Sequence, residues 1–141
     1  MELQLYFYHD ELNMSPEAVF EVLNNDKKLI SQLDKLTDIE YKNAAPDTRE
    51  PGTKTVLFYD GSKVDTEVVQ YKADRRIEFD MNVPAGTLKA MINIVPVEDR
   101  SELTISAKLV TDSPVSFALY SLKIPKVKKQ FNKAVEATVQ K

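Results

Sequence analysis

Between Thr53 and Leu109 apolar and polar residues alternate strand after strand; from Ser113-Pro114 onward the apolar spacing lengthens to that of a helix. A period of two buries one face of a strand, whereas a period near 3.6 buries one stripe of a helix. Ile77, Phe79, Met81 and Val83 oppose Glu78, Asp80 and Asn82, and the pattern returns in Leu88, Ala90, Ile92 and Ile94, then in Leu103, Ile105, Ala107 and Leu109. The breaks are short: Asp60-Gly61, Ala73-Asp74-Arg75, Pro84-Ala85-Gly86 and Glu98-Asp99-Arg100. Turns of that length join antiparallel neighbours, since parallel strands need long crossovers. A sheet with one apolar face must be covered. The stripe Phe117, Tyr120, Ile124, Val127, Phe131, Val135 and Thr138 offers the cover. The expected fold is therefore α+β: one domain over residues 1–141, a curved antiparallel sheet of about seven strands around a long C-terminal helix. Pro125 lies inside the helical stripe and is expected to split it, opening a new helix where proline is tolerated.

Ahead of the sheet, residues 2–9 read as a further strand. Leu3, Leu5 and Phe7 share one face with His9; Gln4, Tyr6 and Tyr8 share the other. Ser15-Pro16-Glu17 has the chemistry of a helix start, and Ala18, Val19, Val22 and Leu23 continue it. Asp26 is expected to cap a second short helix carrying Leu29, Ile30, Leu33 and Leu36. A strand from Thr37 to Asn43 follows, then a loop to Gly52.

Composition removes several chemistries. There is no cysteine and one histidine, so thiolate nucleophiles, disulfides and histidine-rich metal sites are excluded. Three glycines and no Gly-x-Ser-x-Gly leave neither a phosphate-cradling loop nor a nucleophile elbow. No metal and no cofactor are expected. The net charge of −3 argues against nucleic acid as a partner. The charge is uneven, however. From Pro114 onward six lysines face one glutamate, a net of +5 that leaves −8 on the rest. Lysines late in a helix complement its dipole; the alternative is a basic face for weak contact with an anionic membrane or a protein. No signal peptide and no run of roughly 18 apolar residues is visible, so a cytoplasmic location is expected.

Three local segments occur in an order that resembles a known family. Ser15-Pro16-Glu17-Ala18-Val19-Phe20-Glu21-Val22-Leu23 is similar to its opening helix. Glu50-Pro51-Gly52-Thr53-Lys54 is similar to its Pro-Gly-Thr-basic entry into the third strand. Val68 to Phe79, around Arg75-Arg76, is similar to its strand–turn–strand segment. The family is the START-like (SRPBCC) superfamily, polyketide cyclase/dehydrase type, and the likeness spans nearly the whole chain. The chain departs from it at Ala73-Asp74, where relatives carry prolines, and in having no tryptophan. The resemblance implies a helix-grip fold with an apolar cavity between sheet and helix. It also implies a hydrophobic small molecule as partner: a lipid, a polyketide or similar.

The residues expected to line such a cavity are Tyr41, Thr55, Leu57, Tyr59, Ile77, Phe79, Met81, Ala90, Ile92, Leu103, Ile105 and Ala107 from the sheet. Phe117, Tyr120, Ile124 and Phe131 would line it from the helix. An apolar pocket with few polar groups is what small-molecule recognition needs, and buried tyrosine hydroxyls need partners. No catalytic set is identified; Tyr41, Tyr59 and His9 are weak candidates for one. The carboxylate pairs Asp65/Glu67 and Glu78/Asp80 alternate along strands and read as solvated faces. Three functions remain open: carrier or sensor of an apolar molecule; cofactor-independent cyclase or dehydratase, with hydroxyls stabilising an enolate; and interaction module using the basic helix. Oligomeric state is not legible.

Overall fold

The computed structural model describes residues 1–139. The order is β1 (Glu2–Leu12), α1 (Pro16–Leu23), α2 (Asp26–Gln32), β2 (Leu36–Tyr41), β3 (Lys54–Tyr59), β4 (Ser62–Lys72), β5 (Arg76–Val83), β6 (Gly86–Val97), β7 (Arg100–Val110), α3 (Pro114–Ser121) and α4 (Ile124–Thr138). All seven strands form one antiparallel sheet, ordered β1-β7-β6-β5-β4-β3-β2. Register shifts in β1, β2 and β4 mark irregularities of the kind that bend strands, and the sheet curves. The concave side grips α4, the helix-grip arrangement that the resemblance implies.

Local chemistry accounts for the boundaries. The Ser15 hydroxyl accepts from the Ala18 amide at 3.2 Å, and Pro16 opens α1. The second helix departs from expectation in one respect: Asn25 caps it, accepting from the Lys28 amide at 3.1 Å, while Asp26 is its first helical residue. It also ends at Gln32, so Leu36 begins β2 instead of extending the helical stripe. Asp60 and Gly61 both have positive φ, 50° and 78°, which a two-residue hairpin requires. Gly86 has φ of 150°, and a Cβ there would stand 2.2 Å from the Val110 carbonyl oxygen, so no side chain fits that turn. As Pro125 foretells, the C-terminal stripe is broken; α3 stops at Ser121 and α4 restarts at Ile124 with the proline in its first turn. No described helix is long and apolar enough to cross a membrane.

Strand β1 departs from the expected alternation. Tyr6 and Tyr8 are buried, whereas Phe7 is 54% exposed and His9 is exposed. A register shift between Gln4 and Tyr6 resets the alternation, so Leu5 and Tyr6 are buried in succession and the tyrosines face the helix.

One tightly packed cluster lies at the end of the sheet away from α3. Leu12, Val19, Phe20, Leu23, Ile94 and Leu103 form a sealed cluster with Val135 and Val139 from the C-terminal end of α4. Toward α3 the concave face loosens. Phe79, Ile92, Ile105 and Ala107 are only half-buried, as are Val127 and Phe131 on the helix above them.

Candidate functional site

The loosely packed end, where half-buried side chains line the concave face beneath α4, is the candidate ligand groove. Its floor is set by register: Phe79 pairs with Ala90, Ala90 with Ala107, and Ala107 with Tyr6, so one inward row crosses four strands. A second row runs Ile77, Ile92, Ile105, Tyr8, and a third brings Tyr41 to Thr55 and Met81 to Leu88. Two small side chains, Ala90 and Ala107, stand in the middle of this row between the rings of Phe79 and Tyr6. Leu57, Tyr59, Met81, Ala90 and Ile124 are half-buried, as are Phe117 and Tyr120 on α3. Two expected lining residues belong elsewhere. Ile77 is 3% exposed and Leu103 is 0% exposed, both within the sealed cluster, and neither offers surface to a groove.

Helix and sheet meet through two polar bridges. The Tyr6 hydroxyl donates to Asn132 Oδ1 at 2.8 Å, with the Tyr6 ring 5.6 Å from that of Phe131. Far across the sheet, Gln130 Nε2 donates to the Tyr59 hydroxyl at 3.1 Å. Gln130 and Asn132 were not legible as site residues. The signal they do carry is composition, since between Lys126 and Lys133 they are the uncharged polar residues and they bracket Phe131.

Tyr41 lies on the concave side, yet its hydroxyl is spent elsewhere. It donates to Asp26 Oδ2 at 2.5 Å and accepts from Arg49 Nη1. Arg49 Nη2 pairs with Asp26 Oδ1, and Arg49 Nε donates to Asn24 Oδ1 at 2.5 Å. Burial lowers the Arg49 pKa, but Asp26 and Tyr41 outweigh it, and the net direction is up. This cluster ties α2 and the 42–53 connection to the β2 edge. His9 faces away from the groove; alternation puts it opposite Tyr8, on the convex side, with Nδ1 2.9 Å from Thr104 Oγ1. Thr55 is buried beneath the same edge as Tyr41. Of the three hydroxyl and imidazole candidates, Tyr59 alone is held against α4.

Two hollows lie apart from this groove. One, of about 360 Å³, is lined by charged groups including Lys42, Lys54, Asp65 and Glu67. The other, of about 560 Å³, opens between Val83–Thr87 and Val110–Ser113 at the root of α3.

Burial pushes the Tyr6 phenol up to about 12, helped by Tyr8 and Glu136; burial and the bond to Asp26 push Tyr41 up to about 12 against the opposing effect of Arg49. The sign follows from linkage. Below pH 10 both folded and unfolded chains keep these protons, and stability is intact. Between about 10 and 12 the unfolded chain releases protons the folded chain retains, so stability falls as pH rises. An ultraviolet titration should show a late phenolate phase near pH 12 that Tyr6→Phe and Tyr41→Phe each diminish. If neither variant diminishes it, this assignment is wrong.

Residues 9–141 match the family described as polyketide cyclase / dehydrase and lipid transport. No curated protein matches the chain in sequence. Among solved structures the fold is shared with Ara h 8.0201, at 10% identity over 98% of both chains with a TM-score of 0.68. A START superfamily protein from Mycobacterium smegmatis is 14% identical over 97% of both chains, with a TM-score of 0.67. DynU16, of the dynemicin biosynthetic locus, is 16% identical with a TM-score of 0.61, and 92% of this chain covers 45% of that one. At these identities the likeness is one of fold.

Proposed function

The chain belongs to the polyketide cyclase/dehydrase and lipid transport family, and from that premise we propose that its groove holds a hydrophobic small molecule as a carrier or sensor. The supporting observation is the half-buried apolar floor beneath α4, with Ala90 and Ala107 at its middle. Each Å² of apolar surface left in water forgoes about 25 cal/mol, so a chain built only for its own stability would fill this space. Tyr59 and Gln130 supply the polar groups, and Gln130 retains a second amide hydrogen with which to donate to a ligand head group. A carrier is favoured over a cyclase because His9 sits on the opposite face and the Tyr41 hydroxyl is engaged by Asp26 and Arg49. Of the three catalytic candidates only Tyr59 stays beside the apolar floor, and its hydroxyl accepts from Gln130.

The test uses two probes. Parinaric acid, a fluorescent fatty acid, should bind saturably and be displaced by oleic acid; diphenylhexatriene, which has no polar head, should bind as well. Tyr59→Phe and Gln130→Leu should each weaken parinaric acid by roughly tenfold, the scale of one hydrogen bond to a charged group, and leave diphenylhexatriene unchanged. Absence of saturable binding would sink the cavity; equal losses for both probes would remove the polar anchor.

A further inference from the structure

The segment between sheet and gripping helix has surface properties that its place in the fold does not explain. None of the eight residues of α3 is buried, and none is charged. Val115, Leu119 and Leu122 are 68%, 55% and 80% exposed, the three most exposed large apolar side chains among the described residues. They stand at i, i+4 and i+7, which is one face of a helix, with exposed Ala118 between them. The other face, Phe117 and Tyr120, is half-buried as α3 lies beside β1. An uncharged helix with large apolar side chains on both faces normally lies within a protein or in lipid. This one lies at the surface.

The charges on the neighbouring helix point to the partner. Lys123, Lys126, Lys128, Lys129 and Lys133 are all exposed, and no acidic residue occurs between Asp112 and Glu136. Among the described residues none of these five lysines joins an ion pair; Lys123 instead sits 4.8 Å above the Tyr120 ring. Helix electrostatics do not account for them. They occupy the start and middle of α4, none lies in its last turn, and the positive end of the helix dipole disfavours cations there. Lys126, Lys129 and Lys133, three and four apart, share the side of α4 opposite Phe131.

We infer that α3 and the adjoining lysine face of α4 form a docking surface for anionic lipid bilayers. Val115, Leu119 and Leu122 enter the interface, and the lysines meet the head groups. The helix is about 12 Å long, far too short to span, so it lies in the plane of the interface. Net charge of −8 on the rest of the chain turns the remainder of the protein away from the same surface, which orients it. Docking requires no occupied groove and stands apart from the ligand reading.

Sedimentation with unilamellar vesicles tests this on the intact chain. Vesicles of phosphatidylcholine with phosphatidylserine should bind it, those of phosphatidylcholine alone at least tenfold more weakly, and binding should fall with salt as the Debye length shrinks from about 10 Å at 0.1 M. Neutralising the face in Lys126→Gln/Lys129→Gln/Lys133→Gln should cost roughly a hundredfold. The triple change Val115→Ser/Leu119→Ser/Leu122→Ser should abolish binding while parinaric acid affinity stays unchanged. Because the chain has no tryptophan, Leu119→Trp adds a single reporter whose emission should shift to the blue with anionic vesicles. Equal binding to both vesicle types, full binding by either triple variant, or self-association of the wild type that the serine variant abolishes would each overturn the proposal.

Discussion

Arg49→Ala should lower the stability of the folded chain by about 3–5 kcal/mol, the cost of leaving one member of a buried ion pair uncompensated. The side chains of Arg49 and Asp26 are each 12% exposed. Besides Asp26, the guanidinium bonds the Tyr41 hydroxyl, Asn24 Oδ1 and the carbonyl oxygens of Asn24 and Thr48, so its removal strips several partners at once. The Asp26 carboxylate would keep the Tyr41 hydroxyl and lose its countercharge. Against a total of about 5–15 kcal/mol for a typical domain, that is a large fraction. Arg49→Lys should fall between, because an ammonium restores charge without the planar fork. In an Asp26→Asn background the same Arg49→Ala change should cost much less, since no buried anion remains. Urea unfolding of the four combinations measures the coupling. A cost below about 1 kcal/mol for Arg49→Ala would place the pair among ordinary surface bridges and end its role as a clamp.

Ala107→Trp carries the second large effect, and its two readouts should move apart. Ala107 sits between Ala90 and Tyr6 on the inward row, half-buried beneath α4. In a filled core an added indole would cost about 1–3 kcal/mol through overpacking. In an open groove it covers surface already in water, at about 25 cal/mol per Å², so stability should hold or rise. Parinaric acid should meanwhile lose about a hundredfold in affinity, the equivalent of roughly 100 Å² of burial it can no longer make. Destabilisation with unchanged probe binding would place the ligand elsewhere.

What the sequence disclosed was local. Asp60-Gly61, Ser15-Pro16 and Pro125 act on their own neighbours, and each marks the boundary expected of it. The faces of β5, β6 and β7 were equally plain, because the central strands keep strict alternation. Strand β1 was not, because its register shift arises from pairing with β7, about a hundred residues away. The same holds for the site. An inward parity identifies Tyr41 and Tyr59 alike; only the folded chain brings Asp26 and Arg49 to one hydroxyl and Gln130 to the other. Parity also cannot tell a sealed position from an open one. Ile77 and Phe79 are adjacent on one face, yet the first belongs to the buried cluster and the second is only half-buried against it.

The pairing of β1 with β7 also constrains how the chain comes to be folded. Met1 bonds to Thr111 and Glu2 pairs with Val110, so the first strand has no partner until β7 exists. Strands β2 to β6 join through successive neighbours and can zip as they emerge, at about 5–20 residues per second on a ribosome. Until β7 arrives β6 presents an unpaired edge, and until α4 arrives the sheet presents an uncovered apolar face. Closure then joins residues 110 apart in sequence, the non-local arrangement associated with slow folding, on the order of milliseconds to seconds. In a growing chain of this design the interval in which a chaperone matters most runs until α4 follows β7 out of the exit tunnel.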